Sequence, residues 1–381
     1  MSRTRLTRLT ISGFRSIRLL DGLELRDMNV LIGPNSSGKS NFLKFFRLFS
    51  LALFEEDELR RWVVKEGGGN YLLFDGAKVT PRLEANVAIA YQDEVHDYEV
   101  RLIHAPQDLL FNDTDTNPYP GSEYDDLIMA FQDLKLFQFH DTSPNARIRQ
   151  RWDARDGFSL KHDGANLGAF LYWLEREYPS YYGKIVRTLR SLIPCFADFE
   201  FHPEASSGAM LLTWRESDSD LLFGSHTASD GTLRIMCLVT LLSQPPEMLP
   251  PLLLLDEPEL GLHPMAIETI GGLIRAASRH CQVILATQSP PLLDCFDPED
   301  VIVVERQGRE SLFKRLEPER LRAWLEDYTL SELWGKNVLG GKPGSQTIGM
   351  PTGEETSLET RRAVIEQRRA EQEAQRAGGG S

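Results

Sequence analysis

One run near the start of the chain, Gly33-Pro34-Asn35-Ser36-Ser37-Gly38-Lys39-Ser40, has the residue types and spacing needed to hold a polyphosphate. It satisfies G-x-x-x-x-G-K-[ST]. Its glycines let backbone N–H groups turn inward on a β-phosphate, the lysine reaches the β- and γ-phosphates, and the serine hydroxyl ligates Mg²⁺. Lys39 and Ser40 are therefore the candidate cation and metal ligand, with Asn41 beside them as a further nucleotide contact. Far along the chain, Leu252-Leu253-Leu254-Leu255-Asp256-Glu257 is an apolar run closed by two acids. Acids at the end of a buried strand cost free energy, so they need a purpose. Asp256 suits a second Mg²⁺ contact, through water, and Glu257 suits the general base that polarises an attacking water. The two motifs together predict ATP and Mg²⁺ as ligands and hydrolysis as the reaction. A Gly-rich turn before a helix, or an apolar strand that happens to end in acids, is the plain alternative for either motif alone.

These groups require a strand, a loop and a helix in that order, and the flanking sequence supplies them. MNVLI runs straight into the glycine-rich loop, and NFLKFFRLFSLALF after it has apolar residues at helical spacing with no breaker. Upstream, TRLTISGF and SIRLL alternate as strands, with Asp21-Gly22 marking a turn before the third strand. EGGGNYLLFDG reads as a turn plus strand, and RLEANVAIAY and DYEVRLI as antiparallel strands of an all-strand lobe. Residues 105–160 read as loops. LGAFLYWLEREYPSYYGKIVRTLRSLIP is amphipathic in two pieces broken at Pro179, a pair of helices without sustained heptads, so any arm is a short lid. Leu252–Leu255 and Val283–Ala286 have the character of parallel strands buried on both faces. DPEDVIVVERQGRESLFKRL reads as strand, turn at Gln307-Gly308, and strand; beyond Gly349 the charged sequence, poor in large apolar residues, reads as a tail.

Composition narrows the function classes. At 381 residues and 41% hydrophobic content the chain can bury a full core without a staple. Cys195, Cys237, Cys281 and Cys295 lie far apart with no C-x-x-C spacing, which suggests reduced thiols rather than a zinc site or disulfides. No run approaches the ~20 apolar residues of a membrane helix, and the amino terminus lacks the apolar stretch of a signal peptide. The expectation is a cytoplasmic protein with no membrane partner. A net charge of −14, from 42 basic and 56 acidic residues, gives DNA an unfavourable mean field, so direct DNA binding would need a local basic face.

Taken together, ISGFRSI, GPNSSGKS, SDGTLR, LLLLDEPELGLHP and ATQSP resemble, in kind and order, the RecF/OLD-like branch of the ABC/SMC ATPases. The resemblance covers residues 4–103 and 205–316. It implies an α/β fold: an ABC-type P-loop NTPase head with an N-terminal antiparallel strand lobe and a short inserted helical lid. The implied division is 1–104 for the first part of the head, 105–204 for the inserted loop and lid, 205–349 for the second part, and 350–381 for a flexible charged tail. In the family a signature loop ahead of a helix binds the γ-phosphate of the nucleotide held by the opposite subunit. Here it resembles Ala228-Ser229-Asp230-Gly231-Thr232, making Ser229, Asp230 and Gly231 nucleotide contacts across a head-to-head dimer or a higher even oligomer. A simple helix cap is the competing reading.

The family's switch carries histidine after Ala-Thr, whereas Ala286-Thr287-Gln288-Ser289-Pro290 puts glutamine there. Gln288 can bond the γ-phosphate or orient water but carries no charge, which implies slow turnover. Arg15 matches an arginine that in relatives approaches the nucleotide, a solvated strand arginine being the alternative. His263, after Gly261, falls where relatives join the two active sites and reads as an interface residue rather than a metal ligand. No conventional Q-loop glutamine stands out; Gln92 is a candidate.

RAWLEDYTLSELWGKNVLGGKP resembles the end of small bacterial ATPases encoded beside a Toprim-like or other nuclease partner in anti-phage systems. The acidic metal clusters that OLD-type relatives append are missing, so any nuclease effector would be a separate chain from a neighbouring gene. The region of Trp324, Trp334 and Leu339 reads either as a docking surface or as ordinary packing. Three readings follow: an ATPase switch that controls an effector, a RecF-like repair ATPase on DNA, and an ATP-dependent scaffold with negligible hydrolysis. Glu257 favours the first and Gln288 leaves room for the last. No N-K-x-D motif supports a GTPase.

Overall fold

In chain order the strands are β1 (Arg5–Phe14), β2 (Ile17–Glu24), β3 (Met28–Ile32), β4 (Arg82–Tyr91), β5 (Glu94–Ala105), β6 (Leu109–Asn112), β7 (Leu136–Phe137) and β8 (Trp152–Asp153). They continue with β9 (Phe196–Phe199), β10 (Ala209–Met210), β11 (Thr213–Glu216), β12 (Leu222–Gly224), β13 (Leu252–Asp256), β14 (Gln282–Thr287), β15 (Val301–Gln307) and β16 (Glu310–Arg315). The structure, a computed structural model, describes residues 4–91, 94–113, 131 and 134–340. Gln92 and the segment beyond Gly349 lie outside the described residues.

Two large sheets form the body. The antiparallel one has the order β2-β1-β4-β5-β6. The other has the order β16-β15-β3-β14-β13-β7, parallel except where β16 folds back on β15. Alternate residues of a strand face opposite sides of its sheet, and both sides of β13 and β14 are apolar. Leu252, Leu254, Ile284 and Ala286 face a core shared with the antiparallel sheet and the helix Lys39–Phe54. Leu253, Leu255, Val283 and Leu285 face a second core built by the helices Leu167–Glu177, Pro179–Leu192, Asp230–Ser243 and Pro264–Ala277. This is why those strands read as continuous apolar runs rather than alternating ones.

The helix Lys39–Phe54 is anchored by Phe42, Phe45, Phe46 and Phe49, all buried. Phe42 and Phe45 each meet Phe46 edge-on, at centroid distances of 5.4 and 5.7 Å. Each ring contributes about 1.5–3 kcal/mol by burial, which fixes the helix start against the face of the parallel sheet. Register then sets the site. Thr287 lies opposite Ile32, Asp256 opposite Ala286, and Leu255 opposite Phe137, so the residues that follow these strands emerge side by side at the carboxyl edge of the parallel sheet.

Several expectations change. Asp21-Gly22 is no turn between strands: β2 runs through it, the pairing with β1 shifts register between Leu9 and Ile11, and Gly22 (φ 58°) donates its N–H to Thr10 Oγ1. The one extra residue on β2 forms a bulge, for which a glycine at positive φ is suited. EGGGNYLLFDG forms a helical turn at Gly69–Leu72, with only an isolated bridge from Leu73 to Phe14, in place of a strand. Residues 109–112 and 136–137, read as loop, are β6 and β7 in the two large sheets. Trp324, Trp334 and Leu339 are buried in the second core at 4%, 8% and 2% exposure, which answers to the ordinary-packing reading of that region rather than the docking one. No helix among the described residues is long and apolar enough to cross a membrane.

Candidate functional site

The loop after β3 is shaped by what a side chain would strike. A Cβ at Gly33 would stand 2.3 Å from Val304 O, and one at Gly38 would stand 2.1 Å from Ser311 Oγ, with φ +112° besides. Gly38→Ala therefore combines a clash with backbone strain; an expected loss of about 2–3 kcal/mol is checked by the midpoint of denaturant unfolding. The helix begins at Lys39 with no side chain capping its first turn, so its leading N–H groups are available to an anion. Lys39 Nζ donates to Gly33 O at 2.7 Å and Pro34 O at 2.9 Å. Burial pushes the Lys39 ammonium below its ordinary pKa, while the charges of Glu257, Asp256 and Glu259 act in the opposite direction.

Asp256, buried at the end of β13, is the meeting point of three elements. Ser40 Oγ donates to Asp256 Oδ1 at 3.2 Å, Gln138 Nε2 donates to Oδ2 at 2.6 Å, and a His140 ring nitrogen lies 3.0 Å from the Asp256 carbonyl oxygen. Gln138 was not singled out by sequence. Its signal is the alternation in LFQFH, where buried Phe137 and Phe139 flank a polar residue just past β7, within a stretch otherwise read as loop. The cluster offers hydroxyl, carboxylate and carboxamide oxygens, the hard donor set that suits Mg²⁺.

At Glu257 the chain leaves the strand with φ +45°, a sparsely populated conformation for a residue with a side chain. Its N–H still reaches Ala286 O at 2.8 Å, and its Oε1 accepts from Gln288 Nε2 at 3.0 Å. Gln288 thus supplies an orienting hydrogen bond to the acid beside it.

Ser229 caps the helix Asp230–Ser243, its Oγ accepting from Thr232 N at 3.1 Å. Asp230 is exposed and pairs with Arg149 NH2 at 2.9 Å. The other Arg149 end nitrogen donates to Ser225 O and Ala228 O at 2.6 and 3.1 Å, fixing the loop ahead of the helix. One turn into that helix, Arg234 donates to Phe139 O, His140 O and Leu260 O at 3.1, 3.0 and 3.0 Å. A single guanidinium so joins the Gln138 segment, the Ser229 helix and the loop after Glu257. Gly231 sits against that same loop, where an added Cβ would be 3.1 Å from Gly261 O.

Arg15 (φ 49°) pairs with Glu66, which also binds Lys44 at 2.9 Å, and its NH1 lies 3.5 Å from Asn41 Oδ1. The guanidinium is therefore engaged by a carboxylate, neither free in solvent nor bonded to the phosphate loop. It lines a cleft of about 510 Å³ together with Asn41, Tyr71, Arg306 and Arg309. Arg306 also donates to Ser36 O at 3.1 Å, so this cleft opens directly beside the phosphate loop. His263 is exposed and caps the helix Pro264–Ala277 through Met265 N at 3.4 Å. Among the described residues no His, Cys, Asp and Glu cluster forms a further metal site.

The family model described as "AAA domain, putative AbiEii toxin, Type IV TA system" matches residues 28–294. No curated protein matches the chain. Among solved structures, an Smc head bound to the C-terminal winged-helix domain of ScpA is similar with a TM-score of 0.61 at 17% identity, over 83% of this chain and 99% of that one. An Smc head with an extended coiled coil, from Pyrococcus furiosus and bound to the C-terminal domain of ScpA, gives 0.55 at 15% identity, over 85% and 99%. At these identities the likeness is one of fold: an α/β, ABC-type P-loop head with an antiparallel strand lobe, as the sequence implied.

Proposed function

The chain belongs to this AAA-domain family, and from that premise we propose that it is an ATPase whose site is completed by a second copy and whose nucleotide state controls a partner protein. One observation carries the reading: Ser40, Asp256 and Gln138 converge within hydrogen-bond distance, with Glu257 next in the chain and held by Gln288. The loop Gly33–Ser40 and the start of the helix Lys39–Phe54 bind the phosphates, and Lys39 exchanges its loop carbonyls for phosphate oxygens. Ser40 and Asp256 hold Mg²⁺, with Gln138 beside them; the ion when bound neutralises charge on the phosphates. Glu257 takes the proton of the attacking water and Gln288 keeps its carboxylate aimed. The cleft beside Asn41 receives the nucleoside, where Tyr71, 75% exposed, offers a ring face to a base.

Ser229, Asp230 and Gly231 serve the nucleotide of the opposite copy. The exposure of Ser229 and Asp230 and the helix start behind them support an anion site facing outward, and the Ser229 cap shapes that helix start. The composite site has a numerical test. Lys39→Ala disables the phosphate loop, Ser229→Arg blocks the signature loop, and each alone is expected to be inactive. Mixed in equal amounts, half the dimers are mixed and each carries one intact site of two, so about a quarter of the wild-type rate returns. A mixture as inactive as its parts rules the shared site out.

The finer setting is part of the same proposal: a RecF/OLD-like branch member, encoded beside an effector nuclease in anti-phage defence. The family description's mention of a toxin–antitoxin system is in keeping with an effector under control, and the two Smc heads above are each bound to a partner protein. A net charge of −14 favours a protein partner over DNA as the first contact. The scaffold reading draws on one observation, that Gln288 orients Glu257 without contributing charge.

A further inference from the structure

Glu259 is a buried carboxyl outside the mechanism so far described. It is 8% exposed, and its Oε2 is buried without a hydrogen-bond partner. Its Oε1 accepts twice, from Thr287 Oγ1 at 2.5 Å and from Gln288 N at 3.2 Å. Burial pushes its pKa above the ordinary carboxyl range. A half-satisfied buried acid is a poor choice for stability, because the orphan oxygen costs free energy that an apolar side chain of similar size would not. What the acid does achieve is geometric. It grips the backbone of Gln288, whose side chain in turn holds Glu257 Oε1 at 3.0 Å. Thr287 Oγ1 extends the grip by accepting from Ser289 N at 2.9 Å, and that serine caps the next helical turn.

Resting on the reading of Glu257 as the general base, we propose that Glu259 is a positioning residue: it fixes the segment 287–289, and through Gln288 it fixes the base. The strained φ of +45° at Glu257 makes this hold necessary, because a carboxylate on such a backbone has no regular ladder beyond it to set its direction. Glu259 also accepts Leu262 N on its backbone oxygen at 3.0 Å. The loop from Glu257 to Leu262 and the strand end at Thr287 are therefore tied together through Glu259.

The test uses the full chain and reads ATP affinity, turnover and unfolding midpoint together. Glu259→Ala is expected to lower kcat about 10–100-fold, the effect of a misplaced catalytic group, with the Kd for ATP changed less than about twofold and the unfolding midpoint not lowered. Glu259→Gln keeps an accepting oxygen and is expected to stay within about threefold of wild type. In a Glu257→Gln background, Glu259→Ala is expected to add no further loss, because it acts through the group already removed. The proposal is overturned by an unchanged kcat in Glu259→Ala, by an additive loss in the double variant, by a Gln variant as slow as Ala, or by a fall in kcat matched by lost ATP binding and stability. A wild-type chain that binds ATP without turnover sinks the hydrolysis reading itself, and the role of Glu259 with it.

Discussion

Glu257→Gln is expected to bind ATP as tightly as the wild type and to hydrolyse it about 10²–10⁴-fold more slowly, the range a general base supplies. The substitution is nearly isosteric. The carboxamide oxygen can still accept from Gln288 Nε2, now 3.0 Å from Glu257 Oε1, and the backbone bond from residue 257 to Ala286 O is untouched. What disappears is the capacity to take a proton from water. Binding and chemistry should therefore separate: a Kd within about twofold and a collapsed kcat. If two copies close around the nucleotide, the variant should also remain dimeric in the presence of ATP and Mg²⁺, observable by size-exclusion chromatography, because the opening step is blocked. A Gln variant that turns over at the wild-type rate would leave the scaffold reading in possession of the field.

Lys39→Ala is the second large effect, and it falls on binding. The ammonium is buried, and the acids nearest in charge, Glu257, Asp256 and Glu259, would all repel a triphosphate without it. Losing a charge-assisted contact and unmasking that repulsion is expected to weaken ATP binding by about 100-fold or more, roughly 3 kcal/mol. The fold should survive, since burial already disfavours the charged amine and offsets the two hydrogen bonds it makes to Gly33 and Pro34. Titration with a fluorescent ATP analogue, alongside thermal unfolding, checks both halves. Undiminished affinity would remove Lys39 from the phosphate site.

How much of this was legible in the sequence depends on how local each feature is. The phosphate loop is contiguous and its constraints are backbone constraints, so Gly33 and Gly38 announce themselves. The parallel strands were equally plain, because burial on both faces leaves no polar residue in Leu252–Leu255. Gln138 escaped for the opposite reason. β7 has only two residues, and its place at the sheet edge is decided by pairing with Leu254 and Leu255, more than a hundred residues away. Glu259 reads in sequence as one more acid after Asp256 and Glu257; only the fold shows its grip on Gln288. The turn expected at Asp21-Gly22 failed because a glycine at positive φ serves a bulge as well as a turn, and the choice rests with the partner strand. For the tryptophans near the end of the described chain the sequence allowed docking or packing, and the second core they pack into decides for packing.

Ser311, on β16, lies with its Oγ 2.6 Å from Ser37 O and 2.8 Å from Ser16 Oγ, and its backbone N–H donates to Ser16 O at 2.7 Å. Asn41 Nδ2 closes the ring on Ser16 Oγ at 2.8 Å. The phosphate loop is thereby tethered to the tip of the β1–β2 hairpin and to the far edge of the other sheet. Its curvature is settled during folding. The entropy of shaping it is not charged to the nucleotide, and a larger share of each phosphate contact can appear as affinity.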